Sequence, residues 1–126
     1  MQIANDRIDE AALKAIGRAV AHLLRAGEVD TLAARFGYAV ELGRGPIAAI
    51  LEDLAECLGQ GGAINSASNV EFECDVKFFA PNPSNLLAIV ECVVPVLNGN
   101  DVLVEIAVTS DGSNRYATLE QISVVN

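Results

Sequence analysis

The residues that could do chemistry in this chain are few, and Glu91 is the first of them. It is the one charged residue in AIVECVVPV, residues 88–96. A carboxylate in an apolar strand is costly unless it is paired, hydrogen-bonded or protonated. It could lie at a solvated sheet edge, which Pro95 favours because proline lacks a ladder donor. It could instead pair with an arginine or with His22, or line a pocket as an acid, a base or a ligand anchor.

Three further side chains complete the candidate ligand-binding set: His22, Tyr38 and Tyr116. His22 is the only histidine and falls in the first predicted helix, and both tyrosines carry a hydroxyl that could donate to a ligand. One histidine and three scattered cysteines do not make a metal site of ordinary spacing. No serine stands in a Gly-x-Ser-x-Gly motif. The sequence therefore assigns no catalytic residue, no metal and no cofactor.

Charge and composition narrow the classes of partner. The chain has 126 residues, 52% of them apolar, and 17 acidic against 8 basic residues give a net charge of -9. This balance argues against binding to nucleic acid or to an anionic membrane surface, since both require clustered cations. It is compatible with a basic protein partner.

The cysteines and the apolar runs indicate the compartment. Cys57, Cys74 and Cys92 are an odd number and form no Cys-x-x-Cys motif, which favours free thiols and a reducing setting. Cys92 is interpreted as a small buried hydrophobe. The first residues lack a signal-peptide pattern, and no apolar run approaches the roughly 20 residues of a membrane span. We expect one soluble, cytoplasmic domain over residues 1–126.

The chain divides into a helical first half and a strand-forming second half. The apolar spacing predicts a helix from about Asn5 or Asp6 to Ala26, a short one over residues 28–36, and a third beginning at Pro46. In the third helix one apolar face is expected, formed by Ile47, Ile50, Leu51, Leu54 and Leu58. Residues 37–42 are interpreted as a short strand, and residues 59–69 as a polar, glycine-rich loop.

Strands are predicted over residues 70–79, 86–97, 102–109 and 115–125. The first of these alternates, with Val70, Phe72, Cys74, Val76 and Phe78 on one face and Glu71, Glu73, Asp75 and Lys77 on the other. The charged side chains are expected to form the solvated face of such a strand. The predicted fold class is α+β, with N-terminal helices packed on a C-terminal curved antiparallel sheet of four or more strands.

The register of one hairpin decides where Glu91 points, because a slip of one residue reverses every side chain. A two-residue loop at Asn98-Gly99 or Gly99-Asn100 directs Glu91 into the apolar core, and we favour it because Asn-Gly is a strong hairpin signal. A three-residue loop over residues 98–100 instead places Glu91 beside Glu105 on a polar face. An Asp111-Gly112 turn adds Ala117 and Leu119 to the core face.

The order of elements resembles the nuclear-transport-factor-like (cystatin-like) superfamily, which includes the ketosteroid isomerases. The resemblance rests on RAGEVDTLAARFGYAVEL, residues 25–42, and GRGPIAAILEDL, residues 43–54, between a long helix and a strand meander. It implies a conical cavity between helices and sheet, with Glu91 directed toward it. It also implies a homodimer through the convex sheet face, for which Ala88, Val90, Cys92 and Val94 are suited.

The resemblance does not extend to an enzymatic activity. The chain has no tryptophan, and the paired acid and tyrosine of the isomerases find no match. Three functions stay open. The first is a non-enzymatic domain that binds a small apolar ligand between helices and sheet. The second is an immunity-type or other interaction module that blocks a basic protein. The third is an isomerase- or hydratase-like enzyme with Glu91 as base, assisted by Tyr38 or His22.

Overall fold

Helices precede a meander of antiparallel strands in the computed structural model of the chain, which describes residues 1–4, 8–67 and 71–125. The described helices are α1 (Glu10–Arg25), α2 (Val29–Phe36) and α3 (Pro46–Leu58). The described strands are β1 (Gln2–Ile3), β2 (Ala63–Ile64), β3 (Glu73–Phe78), β4 (Leu86–Val94), β5 (Val96–Leu97), β6 (Val102–Ser110) and β7 (Arg115–Val124). The predicted α+β class is confirmed.

The main sheet has five antiparallel strands in the order β1-β7-β6-β4-β3. The central meander from β3 to β7 is sequential, as expected where short connections join neighbouring strands. The short strands β2 and β5 form a separate antiparallel pair. Strand β3 therefore lies at one edge of the main sheet, and β4 lies inside it.

Local signals set the helix ends. Asp9 is the N-cap of α1, where its carboxylate accepts a hydrogen bond of 2.8 Å from the Ala12 N–H. The predicted caps Asn5 and Asp6 lie outside the described residues. Proline opens α3 as predicted, and α2 ends at Gly37. No helix of the described ranges is long and apolar enough to cross a membrane.

Two predictions about the helical half are wrong. Residues 37–42 form turns rather than a strand. Their one backbone hydrogen bond to the described strands runs from the Ala39 N–H to the Leu119 carbonyl of β7. In α3 the buried positions are Ala49 and Ile50, whereas Ile47 and Leu51 are 44% and 51% exposed. This helix contacts the rest of the protein along a narrower stripe than its sequence suggests, because tertiary packing selects among the apolar positions.

The strand half follows the predicted boundaries closely, with two additions. Strands β1 and β2 have no distinct sequence signal, because each has only two residues, whereas β5 falls at the end of the strand predicted over residues 86–97. Pro95 ends β4 and separates it from β5. The alternation of β3 is confirmed at Cys74, which is buried, but Phe78 on the same face is 53% exposed.

The core lies between α1 and the inner face of the sheet. Residues at alternate positions of β4 and β6 are fully buried there, and α1 contributes its own buried stripe. The fully buried members of this layer include Leu13, Val20, Leu24, Val90, Val94, Val104 and Ile106. The predicted dimer-face residues Ala88, Val90, Cys92 and Val94 are all 0% exposed and belong to this core. They are therefore not a surface on which a second copy can dock.

A disulfide joins Cys74 and Cys92 in this core, which corrects the expectation of free thiols. The two residues are direct partners across β3 and β4, with a Cα–Cα distance of 4.2 Å. That spacing is typical of a non-hydrogen-bonded antiparallel pair. The odd cysteine is Cys57, a free thiol on α3. Disulfides are typical of oxidising compartments, so the cysteines no longer support the predicted cytoplasmic location.

Gly17 lets α1 approach the sheet at the disulfide. A Cβ atom at this position would lie 2.5 Å from the Cys92 Sγ and 2.7 Å from a methyl group of Val90. Both neighbours are fully buried and have no space into which to move. Glycine in mid-helix is therefore explained here by close packing, despite its poor helix propensity.

We expect Gly17→Ala to destabilise the protein by about 1–3 kcal/mol through overpacking, although alanine is the better helix former. The measurement is the free energy of unfolding in urea. Ala15→Gly, at an exposed position of the same helix, is the matched control and should cost only about 1 kcal/mol from propensity. A Gly17→Ala variant that is more stable than the wild type would contradict the close packing of α1 on the disulfide.

We expect one reactive thiol per chain, that of Cys57, when protein purified without reductant is unfolded and treated with a thiol reagent. Prior reduction should raise the number to three, since the chain has three cysteines. Cys57→Ser is the control and should leave no reactive thiol before reduction. Three thiols in the unreduced wild type would show that Cys74 and Cys92 do not form the bond.

Candidate functional site

Glu91 lies on the outer face of the sheet, the face turned away from the helices, and its side chain is exposed. Its partner across β4 and β6 is Glu105. The favoured two-residue hairpin is therefore wrong, and the alternative with Glu91 beside Glu105 gives the correct face. The connection from Val94 to Val102 is longer than either loop, because the chain leaves the sheet at Pro95 to form β5.

Three carboxylates lie side by side across the outer face. Asp75 of β3 is the partner of Glu91, and Glu91 is the partner of Glu105. We call these three residues the acidic row. Neighbouring strands are about 4.8 Å apart, so the row extends over roughly 10 Å. Sequence reasoning treated Asp75 as an ordinary solvated residue, because only the pairing of three strands places it in this row.

Apolar side chains flank the acidic row along the strands. On one side Val93 is the partner of Leu103, and on the other Ile89 is the partner of Ala107. Val93, Leu103 and Ile89 are only partly covered. The outer face therefore combines a central line of negative charge with an apolar surface on both sides.

The electrostatics of the acidic row are unfavourable. Burial raises the pKa of the Glu105 carboxyl, and the negative charges of Glu91 and Glu120 raise it further. Glu120 comes close because β7 has a bulge here, with Gln121 opposite Glu105 and Leu119 opposite Ile106. Like charges directly opposite each other destabilise an antiparallel pair. The protein thus holds a line of charge that costs stability.

Cations do not relieve this cost among the described residues. The ion pairs found there join Lys14 to Glu10, and Arg44 to Glu52 and Asp53, all remote from the outer face. Among the described residues, the one basic side chain beside the acidic row is Lys77, whose Nζ lies 5.3 Å from the centre of the Phe79 ring. Asp75 and Glu91 are exposed and Glu105 is partly buried, and none of the three has an ion-pair partner in the described part of the chain.

Tyr38 has a different environment, in a partly buried hydrogen-bonded network. Its hydroxyl donates to the Asp53 carboxylate at 2.6 Å and accepts from the Ile122 N–H at 3.3 Å. Arg44 donates to the same carboxylate at 2.9 Å, and to the carbonyls of Val40 and Glu41. Burial, and then the hydrogen bond to Asp53, raise the pKa of Tyr38. Hydrogen bonds from Arg44 and Tyr38 lower the pKa of Asp53.

This network has the character of a structural clamp. It joins α3, the turns before it and the backbone of β7 through groups that are already paired. A cleft of about 400 Å³ lies beside it, lined in part by Asp53, Glu56 and Cys57. Burial and the nearby charges of Asp53 and Glu56 raise the pKa of the Cys57 thiol, which disfavours the reactive thiolate.

The other two candidates lie elsewhere. The His22 Nδ1 is 3.0 Å from a nitrogen of Arg25, and its ring packs edge-on against Phe72. It lines a surface groove of about 560 Å³ on the helical side. The Tyr116 hydroxyl donates to Asp111 at 3.1 Å in the β6–β7 turn. Glu91, Tyr38, His22 and Tyr116 therefore occupy four separate places and do not form one site.

The described residues contain no group of three histidine, cysteine or carboxylate side chains placed to hold a metal ion. A comparison of the chain with protein-family models, with curated proteins and with solved structures finds no match. The outer face carries opposed carboxylates that lower the stability of the fold, and such a departure from stability is expected at functional sites. We therefore take the outer face as the candidate site.

We expect Glu105→Gln to raise the free energy of unfolding at neutral pH by about 0.2–1 kcal/mol, since it removes one of two opposed charges. The pKa of Glu105 is raised in the folded state. Below the ordinary glutamate pKa of about 4.3 the side chain is protonated in both the folded and the unfolded state, so its charge does not lower stability. Above the raised pKa it is ionised in both states, and the full cost of the charge applies. The gain should therefore disappear as the pH falls below about 4. Urea unfolding at several pH values measures it.

Glu56→Gln on α3 is the control, because it removes an exposed charge outside the sheet. It should change stability little at any pH. A Glu105→Gln variant that is less stable than the wild type at neutral pH would show that the carboxylate has a favourable partner.

Proposed function

We propose that this protein is a non-enzymatic interaction module whose outer sheet face binds a basic segment of another protein. The observation that carries the proposal is the acidic row, with its opposed Glu91–Glu105 pair in an apolar surround. Natural proteins retain destabilising charges chiefly where function uses them. A cationic partner would turn the repulsion within the row into attraction.

The composition of the face favours a protein partner over other classes. Nucleic acids and anionic lipids are repelled by carboxylates. A small cation would not use the apolar side chains of Ile89, Val93 and Leu103 on either side. A protein segment that carries arginine or lysine together with aliphatic residues matches both features, because protein interfaces combine apolar contacts with charge complementarity.

The spacing of the acidic row suggests how such a segment is presented. The row repeats at about 4.8 Å across the sheet. Side chains one turn apart on a helix are about 5–6 Å apart, whereas same-face residues of a strand are nearly 7 Å apart. A helix with basic residues at successive turns, lying across the strands, fits the row more closely. Inhibition of a basic toxin by an immunity-type protein would be one biological use of such a surface.

The interior gives less support to an apolar ligand held between helices and sheet. That space is filled by aliphatic side chains, and Gly17 brings α1 into contact with the disulfide. An isomerase- or hydratase-like mechanism has weaker support still, since Glu91, Tyr38 and His22 lie on three different parts of the surface and core. Both functions stay predictions from the sequence.

The test uses a helical, alanine-based peptide with arginines one turn apart and leucines beside them. We expect isothermal titration to show binding that weakens as salt rises, since surface charges are screened. The double variant Glu91→Gln/Glu105→Gln should weaken binding about tenfold or more, as expected for the loss of two charge-assisted contacts.

The matched control is Asp30→Asn/Glu56→Gln, which removes the same two charges from exposed helical positions. It should bind the peptide as the wild type does. Equal weakening in both double variants would show a response to net charge alone, and would overturn the proposal. A scrambled peptide of the same composition that binds equally well would contradict recognition of the row.

A further inference from the structure

We propose that two copies of this chain pair through the free edge of β3, in antiparallel register about a two-fold axis at Val76, to form one continuous sheet. In the described part of the chain, β3 pairs with β4 on one side only. On the side where the described residues place no strand, the six residues of β3 present backbone donors and acceptors that favour addition of another strand.

The hydrogen-bond pattern identifies which backbone groups point to the free edge. The Phe79 N–H donates to the Leu87 carbonyl at 3.0 Å, so these two residues are a hydrogen-bonded pair of the β3–β4 ladder. Pairing alternates along an antiparallel ladder. The odd-numbered residues of β3 therefore bond to β4, and the even-numbered residues 74, 76 and 78 turn their N–H and C=O groups outward. The short Cα–Cα distance of the Cys74–Cys92 pair agrees with this assignment.

The outward groups restrict the registers available to a second copy. Even-numbered residues of one chain must meet even-numbered residues of the other to exchange hydrogen bonds. A two-fold axis at Val76 satisfies this condition, with Val76 opposite Val76 and Cys74 opposite Phe78 of the second copy. The intervening pairs then join Asp75 to Lys77 of the second copy, and Lys77 to its Asp75.

Charge distinguishes this register from its neighbours. Asp75–Lys77 contacts fall at non-hydrogen-bonded positions, where side chains across an antiparallel pair approach most closely. Moving the axis to residue 75 brings two aspartates together, and moving it to residue 77 brings two lysines together. An axis at residue 74 places Asp75 opposite Glu73. The register about Val76 gives two opposite-charge pairs and no like-charge pair.

Two further features of β3 agree with this interface. Phe78 is 53% exposed in the single chain although it lies on the helix-side face of the strand, and an added strand would cover part of its ring. Lys77 and Asp75 also have no ion-pair partner among the described residues. The edge thus has apolar surface and charge available for a second copy.

This dimer differs from the sheet-face dimer expected from the sequence. Pairing of two outer faces would bring two acidic rows together. Pairing of the β3 edges leaves the outer face open and places two acidic rows on one ten-stranded surface, five strands from each chain. The dimer does not require the proposed basic partner, although Asp75 belongs both to the acidic row and to this interface.

The test is a charge exchange followed by analytical ultracentrifugation of the full chain over a range of concentrations. We expect a monomer–dimer equilibrium for the wild type. Asp75→Lys sets lysines opposite each other and Lys77→Asp sets aspartates opposite each other, so each variant should raise the dimer dissociation constant about tenfold or more. The fold should be retained in Asp75→Lys, because the new lysine lies beside Glu91.

An equimolar mixture of the two variants is the decisive sample. Each interface then contains two lysines from one chain and two aspartates from the other, so heterodimers should form with an affinity near that of the wild type. The double variant Asp75→Lys/Lys77→Asp should likewise dimerise with itself. A monomeric wild type, single variants that dimerise as tightly as the wild type, or a mixture that stays monomeric would each overturn the proposal.

Discussion

The close approach of α1 to β3 and β4 at Gly17 is the contact on which the other elements depend. The helix lies against the Cys74–Cys92 disulfide and Val90, where a side chain larger than hydrogen would collide. Because of this contact, the even-numbered residues of β4 point into the core. Because strand side chains alternate, the contact also directs Ile89, Glu91 and Val93 outward. The composition of the outer face is thus a consequence of how the inner face packs.

The ionisable groups of the protein divide into two kinds. Tyr38, Arg44 and Asp53 are held together by short hydrogen bonds that connect α3 to β7. Hydrogen bonds from Arg44 and Tyr38 lower the pKa of Asp53, and burial is the main cause of the raised pKa of Tyr38. The carboxylates of the acidic row have no such partners in the described residues, and the pKa of Glu105 is raised by burial and repulsion. A perturbed pKa alone does not distinguish structure from function. The partners of each group make the distinction here, since Tyr38 and Asp53 are hydrogen-bonded to each other whereas Glu105 faces like charges.

The two surfaces of the sheet that are proposed to bind another protein differ in physical character. The outer face offers side chains, with charge at its centre and aliphatic groups around it. The free edge of β3 offers backbone groups, with register selected by Asp75 and Lys77. The first surface is suited to a partner of opposite charge and the second to a strand of the same sequence. The two surfaces share Asp75, so a dimer through the β3 edge leaves Glu91 and Glu105 as the open carboxylates of the acidic row.

The sequence by itself determined the α+β class, the order and approximate bounds of the longer elements, and the alternation of β3, because these follow from local periodicity and from Pro46 and Gly37. It also showed that Glu91 was anomalous. Only the tertiary structure decided where Glu91 points, since the register depends on the chain leaving the sheet at Pro95 to pair β5 with β2. Likewise, the disulfide and the acidic row join residues of different strands, and their proximity is set by strand pairing rather than by any spacing along the chain.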